Sequence, residues 1–135
     1  MKREDWKNLE AYLRFPCATS AILVDGRKVM LQVRTEGMQM VIFVFVDGAM
    51  RGSWLDPTKP CPEQAFMRRI ESYLWSKKER DGAARFAKRF GKREAKKYLG
   101  DMNKKYVHFS PYFPSVRAIR AQYEKTFKSI EPAEV

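Results

Sequence analysis

Residues 18–55 read ATSAILVDGRKVMLQVRTEGMQMVIFVFVDGAMRGSWL, and most of their apolar side chains recur at every second position. Such alternation is typical of β-strands, whose successive side chains point to opposite faces. The runs of similar length are separated by three dipeptides: Asp25-Gly26, Glu36-Gly37 and Asp47-Gly48. Tight hairpin turns favour these residues because they tolerate positive φ angles. The stretch therefore predicts an antiparallel meander of four strands.

The third run, residues 38–46, is apolar at positions that point to both faces of the predicted sheet. Ile42 and Val44 fall on one face, and Phe43 and Phe45 fall on the other. Strands of this kind normally lie inside a sheet and are covered on both sides. Helices, the C-terminal segment or a second subunit would supply this cover, so the pattern is also compatible with a homodimer.

Elsewhere the apolar residues recur at intervals of three and four, which is the spacing of an amphipathic helix. The ranges with this spacing are 3–14, 63–75, 76–90, 92–99 and 115–127. Ser76, with Glu79 three residues later, has the arrangement of a capping box. Gly91 would break or bend the helix in which it falls. A proline-rich linker at 56–62 precedes this helical region.

These patterns predict an α+β fold: a four-stranded antiparallel meander, with a fifth strand at 106–113, packed with three to five helices. We expect a single domain over residues 1–135. In it, residues 1–55 form a helix and the sheet, and residues 63–130 form a strongly basic helical half with one extended aromatic segment. The tail, IEPAEV, is predicted to be loose.

The charge of the chain is strongly unbalanced. Lys and Arg number 27 against 16 Asp and Glu, which gives a net charge of +11 and a pI near 9.8. Residues 68–105 hold fourteen of the basic residues and five of the acidic ones, a net charge of +9. An excess of this size attracts polyanions such as phosphate backbones, and it says little about the fold.

Many of these basic residues are three or four positions apart, so a helix would place them along one ridge facing solvent. If Gly91 only bends the helix, the ridge is about 20 Å long. Phe86, Phe90 and Tyr98 would then lie on the opposite, inward face. The residues predicted to contact nucleic acid are Lys77, Lys78, Arg85, Lys88, Arg89, Lys92, Arg93, Lys96, Lys97, Lys104 and Lys105.

A helix face rich in Lys and Arg is most often simply solvated. Here only Glu94 interrupts the basic run at 85–97, so the acids that balance an ordinary mixed-charge face are missing. DNA or RNA is therefore the favoured partner, and an acidic protein surface is the alternative. A membrane surface is disfavoured because the residues opposite the charge are those of a core.

Aromatic residues follow the basic segment directly: Tyr106, His108, Phe109, Tyr112 and Phe113. Aromatic rings beside cations can stack on unpaired bases, although alternating aromatics in a strand more often belong to a core. Arg117, Arg120 and Lys128 would extend the basic surface. Arg120 is also placed to pair with Glu124 four residues later.

The sequence contains no recognisable catalytic or metal site. One histidine, His108, and two distant cysteines lack the spacing of a zinc site. Phosphate-binding and nucleophile motifs are also missing. We therefore predict no cofactor and no enzymatic activity. The enzymatic alternative is a magnesium-dependent nuclease, whose carboxylates would come from turns and strand ends: Asp25, Glu36, Asp47 and Asp56.

Cys17 and Cys61 are expected to be reduced thiols in a cytoplasmic protein. Residues 1–13 (MKREDWKNLEAYL) lack the apolar core of a signal peptide, which argues against export. Disulfides are rare in the cytosol. The longest apolar run, residues 40–46, is much shorter than the roughly 20 residues that span a bilayer.

Three stretches together resemble a group of small proteins encoded by phages and prophages: the DGRKVMLQVR–turn–MVIFVFVDGAMRGSWL hairpins, the basic YLWSKKER…FGKREAKKYL segment, and YFPSVRAIRAQYEKTFKSIE. The resemblance covers most of residues 17–131. It implies a phage or mobile-element origin and action inside a bacterial cell, and it carries over no catalytic residue. We therefore expect a non-enzymatic accessory protein that binds nucleic acid. The alternative is an inhibitor of the anti-CRISPR type, which binds a host defence nucleoprotein complex through protein contacts.

Overall fold

A computed structural model describes all residues, Met1–Val135, which form two compact units. The first, here called the main unit, comprises Met1–Arg69 and Phe109–Val135. The second, here called the inserted unit, comprises Ile70–His108. The predicted α+β fold class is confirmed, because four α-helices accompany one five-stranded and one two-stranded sheet.

The main unit is built on an antiparallel sheet with the strand order β6-β3-β2-β1-β7. Its strands are β1 (Thr19–Val24), β2 (Arg27–Glu36), β3 (Gln39–Val46), β6 (Tyr112–Phe113) and β7 (Ile130–Ala133). At the first hairpin, Asp25 and Gly26 have φ angles of +47° and +81°. Two positive φ angles are what a two-residue hairpin turn requires, so the predicted turn is confirmed.

One face of this sheet forms the core. Register places Ile22 opposite Val29 and Val29 opposite Val46, and all three side chains are buried. Helix α1 (Arg3–Tyr12) adds Trp6 and Leu9 to the core, and helix α4 (Val116–Thr126) adds Val116, Ile119 and Tyr123. The helices predicted at 3–14 and 115–127 are therefore confirmed.

On the other face of the sheet, Phe43 is only 6% exposed. The guanidinium carbon of Arg34 lies 4.0 Å from the centre of its ring, and Tyr112 meets the ring edge-on at 5.0 Å. The cover expected over the two-sided third strand is thus supplied here by a neighbouring arginine and by the C-terminal segment.

The fourth strand of the predicted meander is absent, which corrects the prediction for residues 49–55. One bridge joins Ala49 to Val46, and Gly52–Leu55 then forms a 3₁₀ turn that buries Trp54. The position beside β3 is occupied instead by β6, which pairs Phe113 with Ile42. A distant segment has therefore replaced the adjacent one as the partner of β3.

The tail is not loose, because residues Ile130–Ala133 form β7 and pair with β1. Ile130 is buried opposite Val24, which gives the tail an apolar anchor. Pro132 is tolerated because β7 is an edge strand, where a missing backbone donor costs little. The sequence did not predict this strand because charged residues surround Ile130, which is the one buried apolar side chain of the segment.

The helix predicted at 63–75 is also absent. A 3₁₀ turn (Pro62–Phe66) and strand β4 (Arg68–Tyr73) take its place. The side-chain amide of Gln122 donates to the carbonyls of Ala65 and Met67, and the hydroxyl of Tyr123 donates to that of Phe66. Side chains of α4 thus satisfy carbonyls that a helix would have bonded to its own backbone.

The inserted unit contains helices α2 (Lys77–Phe90) and α3 (Lys92–Leu99). Its two-stranded sheet pairs β4 with β5 (Lys105–Ser110). The hydroxyl of Ser76 accepts a hydrogen bond from the backbone N–H of Glu79, so the predicted cap of α2 is confirmed. Residues predicted as one fifth strand, 106–113, are divided between β5 and β6, which belong to different sheets.

Candidate nucleic-acid interface

All eleven residues predicted to contact nucleic acid lie in the inserted unit, and all eleven are exposed. Helix α2 carries Lys77, Lys78, Arg85, Lys88 and Arg89; α3 carries Lys92, Arg93, Lys96 and Lys97; Lys105 begins β5, and Lys104 directly precedes it. We call this set the basic surface. Its members therefore come from three elements of one small unit.

The inserted unit holds a disproportionate share of the charge. Its 39 residues include twelve Lys and Arg against five Asp and Glu, a net charge of +7. The other 96 residues include fifteen basic and eleven acidic residues, a net charge of +4. Most of the positive charge is thus concentrated in less than a third of the chain.

None of the eleven residues of the basic surface forms an ion pair. In the main unit, by contrast, Arg27 pairs with Asp47, and Arg117 pairs with Glu10. Arg120 pairs with Glu124 at 3.0 Å, as the spacing predicted. Cations without internal partners keep their charge available for an external anion.

A single continuous ridge was expected only if Gly91 bent the helix without ending it, and this condition is not met. Gly91 has a φ angle of +95° and ends α2, so α2 and α3 are separate helices. Phe90 and Tyr98 were expected to face inward, but they are 53% and 67% exposed. Helix α2 buries none of its residues, and α3 buries only Ala95. A unit of this size has too little interior to bury all the apolar side chains of its two helices.

A cleft of about 500 Å³ lies between α2 and α3. Much of its lining is small or apolar, including Ala83, Ala84, Ala87, Ala95 and Leu99. Its charged lining residues are three cations, Arg80, Lys92 and Lys96, and one carboxylate, Asp101. The cleft is within the size range of small-ligand sites, and it combines apolar walls with positive charge.

Arg80, which the predicted set omitted, is half-buried and lines the cleft between α2 and α3. Its guanidinium carbon lies 3.5 Å from the centre of the Tyr73 ring, and its Nε donates to the carbonyl of Trp75 at 3.3 Å. The Nζ of Lys105 lies 4.8 Å from the centre of the same ring. The sequence contained a signal for this contact, because Arg80 lies four residues after the N-cap, Ser76. The first turn of α2 therefore places Arg80 next to strand β4, which precedes the helix.

The aromatic segment after the basic residues serves two roles. Phe113 is 1% exposed and belongs to the core, whereas Tyr112 contacts Phe43 on the opposite face of the sheet. Tyr106 is instead 48% exposed, and its ring stacks on His108 at 5.4 Å between centres. Only Tyr106 of this segment is exposed beside the basic surface.

Three of the four carboxylates considered for a nuclease, Asp25, Asp47 and Asp56, make structural contacts. Asp25 accepts hydrogen bonds from the backbone N–H groups of Lys128 and Ser129. A hydrogen bond from Arg27 lowers the pKa of Asp47, and bonds from Thr58 lower that of Asp56. No three His, Cys, Asp or Glu side chains are grouped as metal ligands, and the two cysteines are unpaired.

No helix has both the length and the apolar character needed to cross a membrane. Comparisons with protein-family models, with curated proteins and with solved structures found no match to this chain. The charge, exposure and contacts of the inserted unit are therefore the observations that bear on function.

Proposed function

We propose that this protein binds nucleic acid, without catalysis, through the basic surface of the inserted unit. The observation that carries the proposal is that its eleven Lys and Arg side chains are all exposed and free of ion pairs. Phosphate groups are the natural partners of such a surface. Lys and Arg side chains that bind the phosphates of a nucleic acid displace its condensed counterions, and the release of these ions favours binding.

Salt dependence provides the test, because each neutralised phosphate contributes a slope of about 0.9 to the plot of log K against log salt for duplex DNA. We expect fluorescence-labelled DNA or RNA to bind tightly at low salt and progressively more weakly as salt rises. The Ala variant at Arg89, Lys92, Arg93, Lys96 and Lys97 should lower the slope for duplex DNA by up to about 4.5, five times the value per phosphate.

A control variant of equal charge change separates the basic surface from net charge alone. Five exposed cations of the main unit, again two Arg and three Lys, are replaced by Ala: Lys7, Arg14, Arg51, Lys59 and Lys125. This control should bind more tightly than the variant of the basic surface. Equal losses in the two variants, or no binding by the native protein at physiological salt, would contradict the proposal.

A phage or prophage origin, with action in the bacterial cytoplasm, is part of the same proposal and is supported by the resemblance of the three quoted stretches. That resemblance also supports a second candidate, inhibition of a host defence complex through protein contacts. Affinity capture from bacterial lysate treated with nuclease distinguishes the two. A specific host complex that is retained after nuclease treatment supports the inhibitor. Material that is captured from untreated lysate but lost after nuclease treatment supports nucleic-acid binding.

A further inference from the structure

Aromatic side chains are distributed unequally between the two units. The inserted unit has six Phe, Tyr and Trp residues, and five of them are exposed: Tyr73, Trp75, Phe90, Tyr98 and Tyr106. The main unit has twelve, of which only Tyr12 and Phe15 are exposed. Large apolar groups are normally buried, so a concentration of exposed rings marks a surface that binds a partner.

The surroundings of these rings indicate the chemistry of the partner. The guanidinium carbon of Arg89 lies 5.3 Å from the centre of the Phe90 ring, and the Nζ of Lys97 lies 5.6 Å from that of Tyr98. Protein-binding surfaces are depleted of lysine at their centres. Rings interspersed with cations suit a partner that offers both flat apolar faces and negative charge, as unpaired nucleotides do.

A duplex would leave most of these rings without a partner. Its bases are stacked on one another, and only their edges and the phosphates are accessible to a protein. A single strand, by contrast, presents base faces on which aromatic rings stack while Lys and Arg contact the phosphates. The exposed rings would therefore have no function in a protein that contacted duplex phosphates alone.

We infer that the nucleic acid bound by the inserted unit is single-stranded, with unpaired bases stacking on its exposed aromatic rings. This inference rests on the proposed function and narrows its substrate class. Phe90 and Tyr98 are the leading stacking residues because they have the largest exposed fractions of the five, 53% and 67%. Tyr73 is the least available, since Arg80 already covers its ring at 3.5 Å.

The test compares oligo(dT) and oligo(U) with a duplex of equal length, by fluorescence anisotropy in one buffer. The native protein should bind a single strand more tightly. The double variant Phe90→Ala, Tyr98→Ala keeps every cation and should weaken binding to the single strand at least about fivefold. Its affinity for the duplex should be unchanged. The matched control is Tyr12→Ala, Phe15→Ala, which removes two similarly exposed rings from the main unit and should change neither affinity.

Intrinsic fluorescence gives an independent measurement, because Trp75 is 39% exposed whereas Trp6 and Trp54 are 3% and 8% exposed. Stacking of a base on Trp75 should quench the emission as oligo(dT) is added, and Trp75→Phe should abolish that quenching. The inference is overturned if the duplex binds as tightly as the single strand. It is also overturned if the double variant binds the single strand and the duplex as tightly as the native protein does. Failure of every nucleic acid to bind would instead refute the proposed function.

Discussion

The hydroxyl of Tyr123 donates a hydrogen bond to the backbone carbonyl of Phe66 across 2.6 Å. Tyr123 lies on α4, is completely buried, and reaches a carbonyl 57 residues earlier in the chain. The same burial raises the pKa of its hydroxyl, which therefore stays protonated and can act as the donor. This contact helps to fix the turn that precedes β4.

Replacing Tyr123 with Phe should destabilise the protein by about 1 to 3 kcal/mol, because the carbonyl of Phe66 would lose its hydrogen bond in a buried environment. Urea denaturation monitored by circular dichroism measures the change. Tyr112→Phe is the control, since the Tyr112 hydroxyl makes no hydrogen bond, and it should have little effect. Equal effects of the two substitutions would show that the bond contributes nothing specific.

Asp25 connects the first hairpin to the C-terminal strand through its bonds to the N–H groups of Lys128 and Ser129. We expect Asp25→Ala to release β7, since it removes both bonds and also disfavours the positive φ angle at this position. Asp25→Asn keeps an acceptor and tolerates that φ angle, so its effect should be smaller. Hydrogen exchange of the amides in Ile130–Ala133 provides the measurement; unchanged protection in Asp25→Ala would disprove this role.

The stability of the main unit should fall at acid pH partly through Asp47. A side-chain hydrogen bond from Arg27 lowers the folded-state pKa of Asp47 below its ordinary value. Its contribution is therefore complete above the unfolded-state pKa, about 3.9, and is lost as the pH falls through the folded-state pKa. Since the pair is exposed, the contribution is at most about 1 kcal/mol.

Asp47→Asn tests this assignment by denaturation at neutral pH and at successively lower pH values. The variant should be less stable than the native protein at neutral pH, and the two should converge only as the pH falls below the folded-state pKa of Asp47. If the difference in stability between the variant and the native protein persisted unchanged to the lowest pH, the effect would come from geometry rather than from charge.

Two glycines of the inserted unit should respond in opposite directions to replacement by Ala. Gly91 has φ +95° and ψ 153°, a conformation that is essentially restricted to glycine, so Gly91→Ala should cost about 1 to 3 kcal/mol. Gly82 lies within α2, and a Cβ there would meet only the end of Arg85, at 3.9 Å. Gly82→Ala should therefore stabilise the helix by up to about 1 kcal/mol. Thermal denaturation measures the change in stability for both variants. If both substitutions raised stability, or both lowered it, this explanation would be refuted.

The features that could be predicted from the sequence are those that depend on neighbouring residues. Strands β1 to β3 follow from alternating side chains and glycine turns. Ser76 as a cap and Gly91 as the end of α2 follow from residue types at short spacing. The eleven basic residues are also exposed as predicted, because Lys and Arg are almost never buried unless they are paired.

The incorrect predictions concern contacts between distant parts of the chain. The segment at 63–75 has helical spacing, yet Gln122 and Tyr123 bond its carbonyls and hold it in a turn and a strand. Phe90 and Tyr98 likewise have the spacing of buried residues, but hydrophobic periodicity does not show whether another element is available to cover them.

Local sequence thus established the first hairpins, the two ends of α2 and the concentration of positive charge, because turn conformation, capping and charge each depend on residues a few positions apart. Tertiary contacts established the two outer strands and which aromatic rings remain exposed. β6 joins β3 from about 70 residues away, and β7 joins β1 from more than 100. Such pairings depend on which surfaces the whole chain buries together, and no short stretch of sequence contains that information.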